Sequence, residues 1–229
     1  MLQEVVSLLE RMLSSIEGDG SIQGLLIRWN ISDFLEHLKN HGENSIAVTS
    51  LVYCSHKFHL QKQHPIPTIS QNLYAPWATW GRLVHLGLQS LIKSYWRGAQ
   101  VKVEVAKGLV VDDREVVVHG RIDAIVHGTV YEFKSSRSDT DLPKPHHVLQ
   151  LRIYMNLAKA TKGVLVYLTP DRITEYTIEN PMTDNELRRL VMETINDYKH
   201  PRWDWECQYC PFAPLCPYKK TNTYSKRLR

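Results

Sequence analysis

The segment Gly120 to Ser136, GRIDAIVHGTVYEFKSS, sets two carboxylates and a lysine within reach of one another. If His127-Gly128 makes a two-residue hairpin turn, Val126 pairs with Thr129 and Asp123 falls opposite Glu132. Directly opposed residues have Cβ atoms roughly 4.5 to 5.5 Å apart. Two like charges at that range destabilise a sheet unless a cation lies between them, and a divalent metal removes the conflict. Alternation puts Lys134 on the same face as Glu132 and turns Phe133 to the opposite, core side. The set suits hydrolysis of a phosphodiester. Hard oxygen ligands hold Mg²⁺ or Mn²⁺, the metal polarises the phosphoryl oxygen and activates water, and Lys134 steadies the water or the developing charge. The same alternation also fits the polar outer face of a half-exposed hairpin.

The four cysteines form a second group. Cys207, Cys210 and Cys216 make C-x₂-C-x₅-C followed by Pro217, and Cys54 stands more than 150 residues upstream. The opening MLQEVVSLLERML carries acids rather than the basic region of a secretory signal, so a disulfide framework is not expected and a four-thiolate metal site is the better account. Structural zinc is an alternative, and the three-plus-one spacing favours an iron-sulfur cluster.

These groups need a scaffold. At 229 residues, with 43% hydrophobic and 23% charged residues, the chain can bury a substantial core, and no apolar stretch approaches the roughly 18 residues of a membrane span. A cytoplasmic protein with no membrane partner is expected. Lysine and arginine number 28 against 24 acids, but Lys219, Lys220, Lys226, Arg227 and Arg229 crowd residues 217–229, leaving the body nearly neutral. Nucleic-acid affinity must then come from local patches.

Leu2, Val5, Val6, Leu9, Met12, Leu13 and Ile16 recur at helical spacing. Ser32 can cap a second helix ending near Gly42, and Thr49 or Ser50 a third running through Leu51, Cys54 and Phe58. After a Pro-rich loop (Pro65, Pro67, Pro76), Ala78 to Tyr95 reads as a long buried helix carrying His85. From Val101 the period becomes two, and VKVEVAKGLVV, REVVVHG, GRIDAIV and TVYEFKS read as four strands of an antiparallel meander. HHVLQLRIYMNLAKA returns to helical spacing, VLVYLT and ITEYTI suggest two more strands, and TDNELRRLVMETINDY a capped helix. The fold class is α/β, a sheet flanked by helices with helical additions at both ends.

GRIDAIV followed by VYEFK resembles the D…ExK signature of the PD-(D/E)xK nuclease superfamily, in its RecB-like branch, which implies a restriction-endonuclease-like mixed sheet. The resemblance implies that Asp123, Glu132 and the Phe133 carbonyl bind metal and that Lys134 is catalytic. Gln150 and Tyr154 match the branch's Gln-x-x-x-Tyr motif, implying contact with DNA, and Gly81 and His85 match an upstream Gly-x-x-x-His pattern whose His is a third metal ligand. VTSLVYCSHKFHL and the cysteine spacing are similar to the CRISPR-associated exonucleases of the fourth Cas family, in which Cys54, Cys207, Cys210 and Cys216 would hold an iron-sulfur cluster, 4Fe-4S in the first instance and 2Fe-2S as the alternative. Ser55 replaces a frequent proline there.

The expected organisation is a helical region over 1–98 contributing Cys54 and His85, a nuclease core over 99–200, and a cluster loop with basic tail over 201–229, in one structural unit. The resemblance implies a metal-dependent exonuclease acting 5′ to 3′ on single-stranded DNA in spacer acquisition, with Cas integrase proteins as partners and oligomerisation open. The alternatives are a free-standing RecB-like repair exonuclease and a noncatalytic DNA-binding subunit. Trp77, Trp80, Trp96 and Tyr154 are candidates to stack on unpaired bases.

Overall fold

A computed structural model describes residues 2–16, 18–39, 44–64 and 76–220. The Pro-rich segment around Pro65 and Pro67, Gly42 and the basic residues from 221 onward lie outside the described residues. Among those described, six strands form one mixed sheet: β1 (Ser45–Ala47), β2 (Gln100–Val111), β3 (Arg114–Val126), β4 (Thr129–Ser135), β5 (Lys162–Leu168) and β6 (Ile173–Ile178). The helices are α1 (Leu2–Ser15), α2 (Ile22–Lys39), α3 (Val48–Val52), α4 (Ser55–Gln63), α5 (Pro76–Tyr95), α6 (Pro145–Leu157), α7 (Asp184–Ile195) and the short α8 (Glu206–Tyr209). No described helix is long and apolar enough to cross a membrane.

The path through the sheet runs β1-β3-β4-β5-β6, with β2 along the other edge of β3. Strands β2, β3 and β4 form the antiparallel meander that alternation predicts, and β4 pairs with β5 in parallel across the α6 crossover. The turn residues His127 and Gly128 both have positive φ, the conformation a two-residue hairpin of this hand requires. The main core lies between the sheet and α3, α6 and α7, built on Ile122, Leu151, Ile153, Leu165 and Leu187. Ile46, Val48, Leu51, Val52 and Phe58 belong to this same core, whereas α1 and α2 pair through Val5, Leu9, Ile31 and Leu35. A third cluster, Ile92 with Ala124, Val126, Phe133, Val164 and Val166, seats α5 on the opposite face.

Four local expectations change. REVVVHG and GRIDAIV are one strand, because Gly120 is not a turn. A Cβ there would sit 2.7 Å from the Tyr154 ring and 3.1 Å from Val48 Cγ2, so glycine admits α6 and α3 close to an unbroken β3. Helix α2 starts at Ile22, well before Ser32. Ser21 accepts from the Gly24 N–H at 2.9 Å and is the effective cap. The third helix is broken at Tyr53 and Cys54: the Cys54 N–H donates to Glu206 Oε1 (2.8 Å) and the Ser55 N–H to the Lys199 carbonyl (2.8 Å). Tertiary acceptors take the donors that helix continuity would have used. Helix α5 is not buried along its length; Leu83, Leu86 and Leu91 are exposed, and Thr79, Gln89 and Ile92 face inward. The expected capped helix is α7, whose Thr183 and Glu186 form a reciprocal capping box.

Candidate active site and cysteine-rich loop

One edge of β3 carries two neighbours in succession. Strand β1 pairs with it in parallel from Val117 to His119, and β4 in antiparallel fashion from Ala124 to Val126. The β3–β4 register is the one the hairpin turn dictates, with Val126 on Thr129 and Ala124 on Tyr131, and it stops there. The next pair, Asp123 and Glu132, sits where the strands part while β4 goes on pairing with β5 to Ser135. Asp123 replaces the missing ladder bond with its side chain, Oδ2 accepting from the Phe133 N–H at 2.9 Å. The carboxylates therefore stand in the mouth of a fork.

The electrostatics of that fork are demanding. The Glu132 side chain is 4% exposed and that of Lys134 16%, and Lys134 Nζ donates to Glu132 Oε1 at 2.8 Å and to Gln150 Oε1 at 2.8 Å. Burial raises the Glu132 pKa and the Lys134 charge opposes it. Burial alone would lower the Lys134 pKa, but the charge and hydrogen bond of Glu132, together with Tyr53 and Asp123, leave it raised and the ammonium protonated. Glu132 Oε2 is buried without a hydrogen-bond partner. An orphaned carboxylate oxygen beside a second carboxylate leaves an acceptor site that a hard cation satisfies.

Helix α5 brings His85 and Gln89, one turn apart, onto the same oxygen. The His85 Nδ1–H donates to Asp123 Oδ1 at 3.0 Å, and Gln89 Nε2 donates to it at 3.2 Å. Gly81 lets the helix in, since a Cβ there would come within 2.8 Å of Ser135 Oγ on β4. Gln89 is a functional candidate that the sequence reading missed; its only signal was a polar residue four positions after His85 on the same helical face. Gln89→Leu is expected to raise the Mn²⁺ concentration for half-maximal DNA cleavage about 10- to 100-fold, as loss of a hydrogen bond orienting a ligand does. An unchanged Mn²⁺ requirement would show that His85 and the Phe133 amide hold Asp123 unaided.

Gln150 and Tyr154 share a face of α6, as their spacing requires, but at 6% and 4% exposure their polar groups turn inward. Gln150 accepts from Lys134, and its Nε2 donates to the Tyr154 hydroxyl at 3.5 Å. In this arrangement the two residues are engaged with Lys134 and with each other.

The cysteines are all free thiols, each half-buried. Glu206, immediately before Cys207, binds the Cys54 backbone and so ties the two chain segments together. A thiolate at Cys210 disfavours ionisation of Cys54, and thiolates at Cys207 and Cys216 disfavour that of Cys210. Burial pushes the Cys54 thiol up to about 11. Among the described residues no three or more His, Cys, Asp and Glu side chains are gathered as a metal-binding group.

The PD-(D/E)XK nuclease superfamily model matches residues 93–217, more than half of the chain, and its span includes Asp123, Glu132 and Lys134. A CRISPR-associated exonuclease Cas4 from Saccharolobus solfataricus is 40% identical over 205 residues, covering 87% of this chain and 100% of that protein. The crystal structure of SSO0001 aligns with a TM-score of 0.83 at 41% identity, over 88% of this chain and 99% of that one. A nuclease signature at the sheet fork, continuous with a full-length relative, places this chain in the Cas4 family of CRISPR-associated exonucleases within the PD-(D/E)XK nuclease superfamily.

Proposed function

We propose that the protein is a metal-dependent exonuclease that degrades single-stranded DNA from its 5′ end and trims precursors during CRISPR spacer acquisition, beside Cas integrase proteins. The observation that carries the chemistry is the Asp123–Glu132 pair at the fork, with Glu132 Oε2 unpartnered and Lys134 alongside. The CRISPR setting rests on the Cas4 relative.

Asp123, Glu132, the Phe133 carbonyl and His85 would hold Mg²⁺ or Mn²⁺, which when bound neutralises phosphate charge and acidifies water. The chain's own residues do the remainder. Lys134 has three donors, and two are committed to Glu132 and Gln150. The third is left for a phosphate oxygen, and because the ammonium stays protonated it acts as a charged donor rather than a base. Gln150 fixes the direction of that donor, with Tyr154 behind it. Gln89 and His85 fix the Asp123 carboxylate from the other side. Cys54, Cys207, Cys210 and Cys216 would hold an iron-sulfur cluster that braces the α3–α4 break against the C-terminal loop, 4Fe-4S before 2Fe-2S.

The deciding assay offers the purified protein 5′- and 3′-labelled single strands, duplexes and circular single strands, with and without Mn²⁺. Short 5′-labelled products from linear single strands, appearing first and only with metal, are expected. Equal cutting of circles, or release of the 3′ label first, would overturn the polarity and the exonuclease mode.

A further inference from the structure

A run of rings connects the fork to the cysteine-rich loop. Tyr53 lies in the break between α3 and α4, His146 in the first turn of α6, Trp205 just before α8 and Tyr209 at its end. Ring centroids are 6.0 Å apart for Tyr53 and His146, 4.9 Å for His146 and Trp205 and 6.2 Å for Tyr53 and Trp205, so these three pack together, and Tyr209 extends from them at 6.4 Å from Trp205. The run begins at the catalytic lysine, whose charge acts on both Tyr53 and His146, and it ends between Cys207 and Cys210.

Packing accounts for only part of it. Trp203 is a packing ring: partly buried, it donates its indole N–H to the Val52 carbonyl at 2.9 Å. Trp205, two positions on, is 38% exposed and Tyr209 is 64% exposed, so apolar ring surface is presented to solvent beside a charged site. Burial, with Lys134 and Lys144 nearby, holds His146 at about 4, so its imidazole is an uncharged ring at neutral pH. Cations lie at one end of the run, since the Lys134 and Lys144 charges both act on His146. Rings spaced along a path with lysines beside them are the means by which proteins bind unpaired strands without reading sequence.

We propose that Trp205 and Tyr209, backed by the half-buried rings of His146 and Tyr53, form a base-stacking lane that leads single-stranded nucleic acid to Glu132 and Lys134, with Trp205 as its main platform. This rests on the nuclease reading of the fork, and it gives the cysteine-rich loop a share in substrate binding. Bases already stacked in a duplex cannot use such rings, so the lane selects unpaired strands.

The test is binding, read by anisotropy of a labelled oligothymidylate and of an abasic strand of equal length, both in EDTA. Trp205→Ala should weaken oligothymidylate binding about tenfold and leave the abasic strand unchanged, and Trp205→Phe should recover most of the loss. Tyr209→Ala, at a more exposed position, should show a smaller loss of the same kind and serves if Trp205→Ala does not fold. Visible absorption and melting temperature, read alongside, should match the wild type in each variant. Wild-type affinity for oligothymidylate in both alanine variants, or equal losses on base-bearing and abasic strands, would overturn the lane. Failure of the nuclease reading is separately visible, as absence of cutting by the wild type in Mn²⁺.

Discussion

Glu132→Ala and Asp123→Ala are each expected to lower DNA cleavage by about a thousandfold or more, because either change leaves a divalent ion with too few ligands at the fork. Lys134→Ala should fall as steeply for a different reason, and a metal titration separates the two. In the wild type Mn²⁺ should raise the melting temperature, since an ion bound only by the folded state stabilises it. The carboxylate variants should lose that rise. Lys134→Ala should keep it, and enlarge it: without the ammonium, Glu132 is a buried carboxylate with its companion removed, a loss that costs roughly 3 to 5 kcal/mol when nothing replaces it. The metal-free Lys134→Ala protein should therefore melt lowest and regain most with Mn²⁺. Full activity in Lys134→Ala would refute its role, and a preserved Mn²⁺ shift in both carboxylate variants would move the metal elsewhere.

Cys54→Ser is expected to have the largest effect on the molecule as a whole. If the four thiolates hold an iron-sulfur cluster, the purified protein is brown, and replacing one ligand removes colour, iron and thermal stability together, because cluster binding is coupled to folding. The effect should reach the fork only secondarily. Glu206 holds the Cys54 N–H through its own carboxylate, and Trp203 holds the Val52 carbonyl, so the chain segments keep some contact without the cluster. Residual Mn²⁺-dependent cutting by soluble Cys54→Ser would fit a bracing role. Full colour and stability in this variant would show that the fourth ligand is misassigned, and colourless wild type with stoichiometric zinc after anaerobic purification would reject the cluster.

The hairpin at His127-Gly128 was legible from sequence because its register depends on a two-residue turn and an alternation that act over a few positions. The Thr183–Glu186 box and the pairing of Val126 with Thr129 are of the same kind. The signature residues Asp123, Glu132 and Lys134 thus came with their relative placement. What the chain segment could not express locally was the parting of β3 from β4 at Asp123, since β4 goes on pairing with β5 there and the Phe133 N–H donates to the Asp123 side chain in place of a ladder bond. Gln89 acquires a function only when α5 crosses Asp123, and Gly120 reads as a turn until Tyr154 packs against it. The break at Cys54 likewise looked helical, because residues more than 140 positions away supply the acceptors that end the helix. Periodicity reports which backbone groups can satisfy one another nearby, whereas these sites are built from donors and acceptors satisfied at long range, and only the tertiary structure decides those.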